Sequence, residues 1–194
     1  MNTLFLSTLC LGVLLSQSAC GKTPAVAESS YQCGQQPAQM SDYSKRNLKQ
    51  YQGKVLRISD GDTLQIRDGH GQKQRVRLAF IDAPETEQAS GKDSQRQLQR
   101  LLDKKSVLVP VVDIDHSQRQ VAIVWLQKQD INATQLATGM AWQYASIAKR
   151  QQTAQGYRYY HCLEQSARSG KEGLWRNRQA QAPWEYRQQR RQQQ

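Results

Sequence analysis

Two short stretches hold the residues best suited to chemistry: Ser59-Asp60-Gly61-Asp62-Thr63 and, further on, Arg77-Leu78-Ala79-Phe80-Ile81-Asp82-Ala83-Pro84-Glu85. The first places carboxylates at an Asp-Gly turn. The second runs from an arginine through an apolar strand into two more carboxylates, where a proline ends the ladder. Oxygen donors beside a guanidinium, with no thiol or imidazole among them, suit a hard cation that holds a phosphate. His70, His116 and His161 are isolated and lack the spacing of a zinc site.

Both stretches also have plainer readings. Asp60-Gly61-Asp62-Thr63 alone is a hairpin turn with self-bonding aspartates. Asp115 and Arg119, further along, have as their plainer reading a simple ion pair across a turn, worth about 0–1 kcal/mol at a surface. In a regular strand Arg77 and Asp82 point to opposite faces, so their co-operation requires the strand to end or bulge between them. Pro84 favours such an ending, because it restricts Ala83 and cannot continue a ladder.

The elements that must position these residues follow from periodicity. Residues 55–58, 64–66 and 75–81 are β-type runs separated by Asp-Gly and Gly-His-Gly turns, a three-strand meander. Asp93 and Ser94 are cap candidates for a helix whose apolar face is Leu98, Leu101 and Leu102. Residues 107–114 and 121–126 form two more strands, the first made an edge or bulged strand by Pro110. Asp130 or Asn132 opens a short helix that Gly139 closes, and a last helix around residues 148–169 ends near Gly170. The fold class is α+β, mainly β: a five-stranded barrel of the oligonucleotide-binding (OB) type with three helices.

A formal net charge of +11 points to a polyanionic partner, since clustered Lys and Arg displace counterions from a phosphate backbone. Residues 1–19 carry no charged side chain, and the apolar run 4–15 is too short for a bilayer, so the segment reads as a secretory signal. Gln17-Ser18-Ala19-Cys20 resembles a bacterial lipobox, which implies lipidation at Cys20; ordinary signal cleavage within residues 19–27 is the alternative. Either way the chain is expected to be exported to the cell envelope or secreted. Residues 20–49 read as a tether, 50–187 as the folded domain and 188–194 as a basic disordered tail. Cys10 leaves with the leader and Cys20 is used at the cleavage point. Cys33 and Cys162 then remain as an even pair in an oxidising compartment, and a disulfide between them is expected.

Over roughly residues 53–187 the chain resembles the staphylococcal nuclease (thermonuclease) family. The resemblance rests on the two stretches above, the Asp115-to-Arg119 turn, Gly139-Met140-Ala141-Trp142, Gly173-Leu174-Trp175 and Ala182-Pro183-Trp184-Glu185-Tyr186-Arg187. It implies a calcium ion held by Asp62, Asp82 and the backbone carbonyl of Ala83, where the family often has threonine. It further implies that Arg77 contacts the scissile phosphate, that Arg119 stabilises the transition state and the departing 5′ oxygen, and that Glu85 holds the attacking water. The activity implied is hydrolysis of DNA and RNA with little sequence preference, leaving 3′-phosphate ends. The family usually has a glycine just before this arginine. Gln118 stands there instead, and a positive φ at that position would strain it and could displace Arg119. Tyr144 and Tyr157, with Trp142 and Trp184, are candidates for stacking on a base, whereas Trp142 and Trp175 are assigned mainly to packing. A monomer is expected. Two rival functions stand beside the nuclease: a non-catalytic nucleic-acid-binding module, and an envelope lipoprotein that binds protein or cell-wall partners.

Overall fold

Short runs of alternating apolar residues, punctuated by tight turns, close on themselves in the computed structural model, which describes Cys33, Gln36, Pro37 and residues 43–193. The first three strands, β1 (Lys49–Ile58), β2 (Thr63–Asp68) and β3 (Lys73–Leu78), form the antiparallel meander. There follow β4 (Ile81–Asp82), helix α1 (Gly91–Leu102), β5 (Ser106–Ile114), β6 (Gln120–Ala122), and the short hairpin β7 (Trp125–Leu126) and β8 (Gln129–Asp130). Helix α2 (Ile131–Ala137), β9 (Trp142–Gln143), α3 (Ala145–Gln151), α4 (Ala154–Ser169), a 3₁₀ turn at Gly173–Arg176 and α5 (Pro183–Gln192) complete the chain.

The sheet runs β1-β2-β3-β6-β5 and returns to β1, which closes a five-stranded barrel with β3 and β6 parallel. Closure removes the exposed edges an open sheet would present. Val55, Leu64, Ile66, Val76, Val109 and Ala122 fill its interior, and α1 adds Leu98 and Leu102 to the same core. β1 must curve enough to pair on both sides. At Gly53 a side chain would collide with Ile66 and the Arg67 carbonyl of β2, so only glycine fits there.

Several expectations are corrected. The described residues hold five α-helices, not three. The long helix expected over residues 148–169 is two helices, because Gln152 and Thr153 are extended and the Thr153 hydroxyl caps α4 by accepting the Gly156 N–H. The tail expected to be disordered from residue 188 continues α5 to Gln192; Pro183 at the first helical position starts that helix. The tether expected to reach residue 49 ends earlier: Tyr43 is fully buried and packs edge-on against Trp125 and Tyr160. Of the two readings of the Pro110 strand the bulged one holds: β5 is paired on both sides, so it is not an edge, and it bulges between Val111 and Asp113. Helix α1 begins before the expected caps, and the Ser94 hydroxyl donates instead to the Met140 carbonyl.

Asp130 is the residue that caps α2, accepting the Ala133 N–H at 3.0 Å, and Gly139 lies beyond that helix at φ 65°. Asn132 does something else. Its side-chain amide donates to the carbonyls of Ala79 and Ala122 and its oxygen accepts the Val124 N–H, which pins the corner between β3 and β4 from below. The expected bridge is present as a Cys33–Cys162 disulfide with Cα atoms 5.4 Å apart, tying the N-terminal arm to α4. The leader 1–19 and Cys20 lie outside the described residues.

Candidate active site

Asp62 sits in the β1–β2 turn, where the Asp60 carboxylate accepts the Asp62 N–H at 2.9 Å and holds the turn. Gly61 is required there for space: a side chain on it would strike the Ser94 hydroxyl and the Ala83 methyl. Register then places Thr63 opposite Arg77, and Arg77 opposite Val121 of β6. Arg77 is thereby on the wall of the barrel, next to the turn.

The problem of Arg77 and Asp82 lying on opposite faces is solved by a break at Phe80. Strand β3 stops at Leu78, and Phe80 adopts φ 66°, the left-handed region that a bulky side chain occupies only under constraint. The constraint is visible in the Asn132 bond to Ala79 O and the Tyr144 N–H bond to Phe80 O at 2.8 Å. Beyond the break, Ile81 and Asp82 pair with β9 rather than with the barrel. Asp82 consequently turns back toward Arg77.

The resulting cluster is tightly bonded. Arg77 donates one nitrogen to Asp62 Oδ1 at 2.9 Å and the other to Asp82 Oδ1 at 2.6 Å. Asp62 also accepts the Thr63 hydroxyl at 2.9 Å and the Ala83 N–H at 2.8 Å. Burial pushes the Asp62 carboxyl above the ordinary carboxylate range, against the opposing pull of Arg77. Burial alone would weaken the charge on Arg77, but Asp62 and Asp82 outweigh it and hold the guanidinium protonated beyond its usual range.

Arg119 lies in the β5–β6 turn, its Nε donating to Asp115 Oδ2 at 2.7 Å and its NH1 making a long 3.5 Å contact with the Thr63 hydroxyl. Gln118 does take a positive φ, 59°, yet Arg119 is not displaced, because the Asp115 carboxylate also accepts the Ser117 and Arg119 N–H groups and fixes the turn. Partial burial raises the Asp115 carboxyl, but these bonds prevail and leave it below its usual value. Thr63 is thus a link between Asp62 and Arg119 that spacing alone did not reveal.

All of this opens into a cleft of about 920 Å³ lined by, among others, Asp62, Arg77, Glu85, Arg119, Tyr144 and Arg187. Tyr144 stacks on Trp184 with ring centroids 5.8 Å apart. Tyr157 is not brought to the cleft; it sits on α4, stacked on His161 and packed against the core. The helical repeat that carries Tyr157 also buries Tyr160 and Leu163, and this turns it from the cleft. Trp142 and Trp175 pack edge-on against each other in a small satellite cluster.

The residue that sequence reasoning missed is Arg187. It reaches from α5 to both oxygens of Asp82, at 2.6 and 3.2 Å, and to Glu85 Oε1 at 2.8 Å. Pro183 signals the helix start and Trp184 shares a face with Arg187, but nothing in a linear pattern ties either to Asp82.

The donor set suits a hard cation. Asp62 and Asp82 are buried, and Asp60 and Glu85 line the cleft beside them. Among the described residues no three His, Cys, Asp or Glu side chains converge as a closed metal cage would need. A few carboxylates in an open site, without a cluster of thiols or imidazoles, suit a hard cation rather than zinc.

Residues 75–177 match the family model described as staphylococcal nuclease homologue. The chain is 37% identical over 146 residues to the micrococcal nuclease of Shigella flexneri, covering 71% of this chain and 80% of that protein. It is 36% identical over 136 residues to an uncharacterized endonuclease of Haemophilus influenzae, covering 70% and 72%. It is also 36% identical over 144 residues to the ParB protein of Escherichia coli, covering 70% and 78%.

Proposed function

The chain belongs to the staphylococcal nuclease family and is an endonuclease of that type, and from this premise we propose that it cuts both DNA and RNA in a calcium-dependent reaction with little sequence preference, leaving 3′-phosphate ends. The single observation that carries this reading is the convergence of Asp62 and the buried Asp82 on Arg77 at one cleft, with Glu85 and Arg119 on its walls. Asp62, Asp82 and the Ala83 carbonyl would hold the ion, which when bound would supply positive charge to neutralise the phosphate.

The chain's own residues do the rest. Arg77, anchored by two carboxylates, presents its guanidinium to the phosphate without reorganising, and such preorganisation is the largest common source of rate enhancement. Glu85 accepts the proton of the attacking water as its oxygen bonds to phosphorus. The bond from phosphorus to the 5′ oxygen breaks, and Arg119 stabilises the negative charge left there until a solvent proton arrives. Asp115 keeps the Arg119 fork aimed, and Thr63 relays its position to Asp62. Tyr144, stiffened by Trp184, offers a face to a base or sugar.

Export and a lipid anchor at Cys20 complete the proposal, supported by the leader pattern and by the Cys33–Cys162 disulfide, which suits an oxidising compartment. The protein works as a monomer in the envelope or outside it. The test is digestion of plasmid and RNA by the purified protein with calcium and with chelator, followed by end-group analysis. Cutting only with calcium, with 3′-phosphate products, is expected. Equal cutting in chelator refutes the calcium requirement. Retention of strands without cutting assigns the barrel to binding instead.

A further inference from the structure

Asp82 is fully buried, and two guanidinium groups share it: Arg77 from the barrel wall and Arg187 from α5. Arg187 is no casual surface pair. Its helix is held by the Trp184–Tyr144 stack and, on the loop after Asp82, by Arg190 on Glu87 at 3.3 Å, while just ahead of the helix the Gln181 carbonyl accepts the Gln88 amide at 2.6 Å. The same guanidinium bridges to Glu85. It therefore covers one proposed ion ligand and the proposed base together.

A cation on Asp82 needs oxygen lone pairs that Arg187 occupies, and like charges at that distance repel. Without any cation, however, a buried Asp82 facing Arg77 alone would leave Asp62 and Asp82 competing for one positive group, a costly arrangement. We propose that Arg187 is an exchangeable counter-ion: it neutralises Asp82 and Glu85 in the metal-free protein, competes with the divalent cation for Asp82, and on cation binding turns its guanidinium to the phosphate backbone of the nucleic acid. This rests on the calcium-nuclease reading above. The Arg187 side chain is one-third exposed and so has room to turn, and Arg191, one helical turn further on, already lines the same cleft. Bidentate pairing to carboxylate and to phosphate uses the same planar fork, which makes the exchange chemically even.

The test measures calcium binding to the chelator-stripped full chain by titration calorimetry, in the absence of nucleic acid, for wild type, Arg187→Gln and Arg187→Lys. The expected result is a calcium Kd lowered about tenfold in Arg187→Gln, with Arg187→Lys between the two because a point charge is kept but the fork is lost. KM for nucleic acid rises in the same Gln variant, a split that mere loosening of the helix would not produce. In the wild type, calcium alone is expected to speed amide hydrogen exchange of residues 183–192 about threefold or more as the tie to Asp82 is released. An unchanged or weaker calcium Kd in Arg187→Gln, or unchanged or slowed exchange in the wild-type helix, overturns the counter-ion. Wild-type protein that binds no calcium at ~10 mM overturns the calcium reading itself, so the two failures are told apart.

Discussion

Replacing Arg77 by alanine removes a group that bonds two buried aspartates of the site, at 2.9 Å on Asp62 and 2.6 Å on Asp82. Breaking a buried ion pair from one side costs about 3–5 kcal/mol, because a charge is left without its partner. Here the low end applies. Asp82 keeps Arg187, and Asp62 keeps the Thr63 hydroxyl and the Ala83 N–H. A loss of about 3 kcal/mol corresponds to a fall of roughly 6–12 °C in Tm for a domain of this size. Calcium should return part of that loss, since an ion bound to the orphaned carboxylates stabilises the folded state alone. Activity should not return with it. Removing one oxyanion donor costs about 10²–10³ in rate, and a charged bidentate group should reach at least the upper figure. Thermal unfolding in chelator and in calcium, beside plasmid cleavage at saturating calcium, measures both quantities. Cleavage within tenfold of wild type, or an unchanged Tm in chelator, would refute the assigned role of Arg77.

Other substitutions probe the walls of the cleft and the core. Arg119→Lys keeps the charge but loses the fork held by Asp115; a rate loss of about 10²-fold is expected with less than about 1 kcal/mol of stability, and single-turnover cleavage with denaturant unfolding checks it. Gln118→Gly relieves a residue at φ 59° and should stabilise by about 0.5–1 kcal/mol with the rate unchanged; a lower unfolding midpoint would show that glutamine makes a contact worth more than the strain. Burial raises the Asp130 carboxyl from 3.8 to about 7, so the folded state keeps a proton the unfolded state has lost. That contribution is full below about pH 4 and fades as pH rises through 7, so Asp130→Asn should flatten the stability curve between pH 4 and 8, and parallel urea midpoints for the two proteins would contradict this. Cys162→Ser should cost about 3–5 kcal/mol through the 129-residue separation it unties, and equal urea midpoints for oxidised and reduced wild type would argue against the bridge.

Much of the architecture was legible in one dimension because it rests on local rules. Alternation and Asp-Gly turns marked the meander, the spacing of Leu98 and Leu102 marked α1, and Asp130 with Gly139 bounded α2. Elements whose cause is distant were not legible. Tyr43 lies in a polar stretch with no period, and only its contact with Trp125 and Tyr160 reveals it as core. The Thr153 cap divided what apolar spacing had joined, and the same helical turn kept Tyr157 from the cleft.

The site divides in the same way. Residue types by themselves pointed to the chemistry: in the two short stretches, acidic oxygens and guanidinium groups without thiol or imidazole among them suit a hard cation and a phosphate, because donor hardness and charge are properties of side chains wherever they stand. Tertiary structure alone decided which of them meet. Phe80 is held in the left-handed region where Asn132 bonds the Ala79 carbonyl and Tyr144 the Phe80 carbonyl, and that break brings Asp82 to Arg77. Arg187 reaches Asp82 across 105 residues of chain because a docked helix carries it there. Such meetings depend on packing between segments distant in sequence, and no spacing along a single strand or helix encodes them.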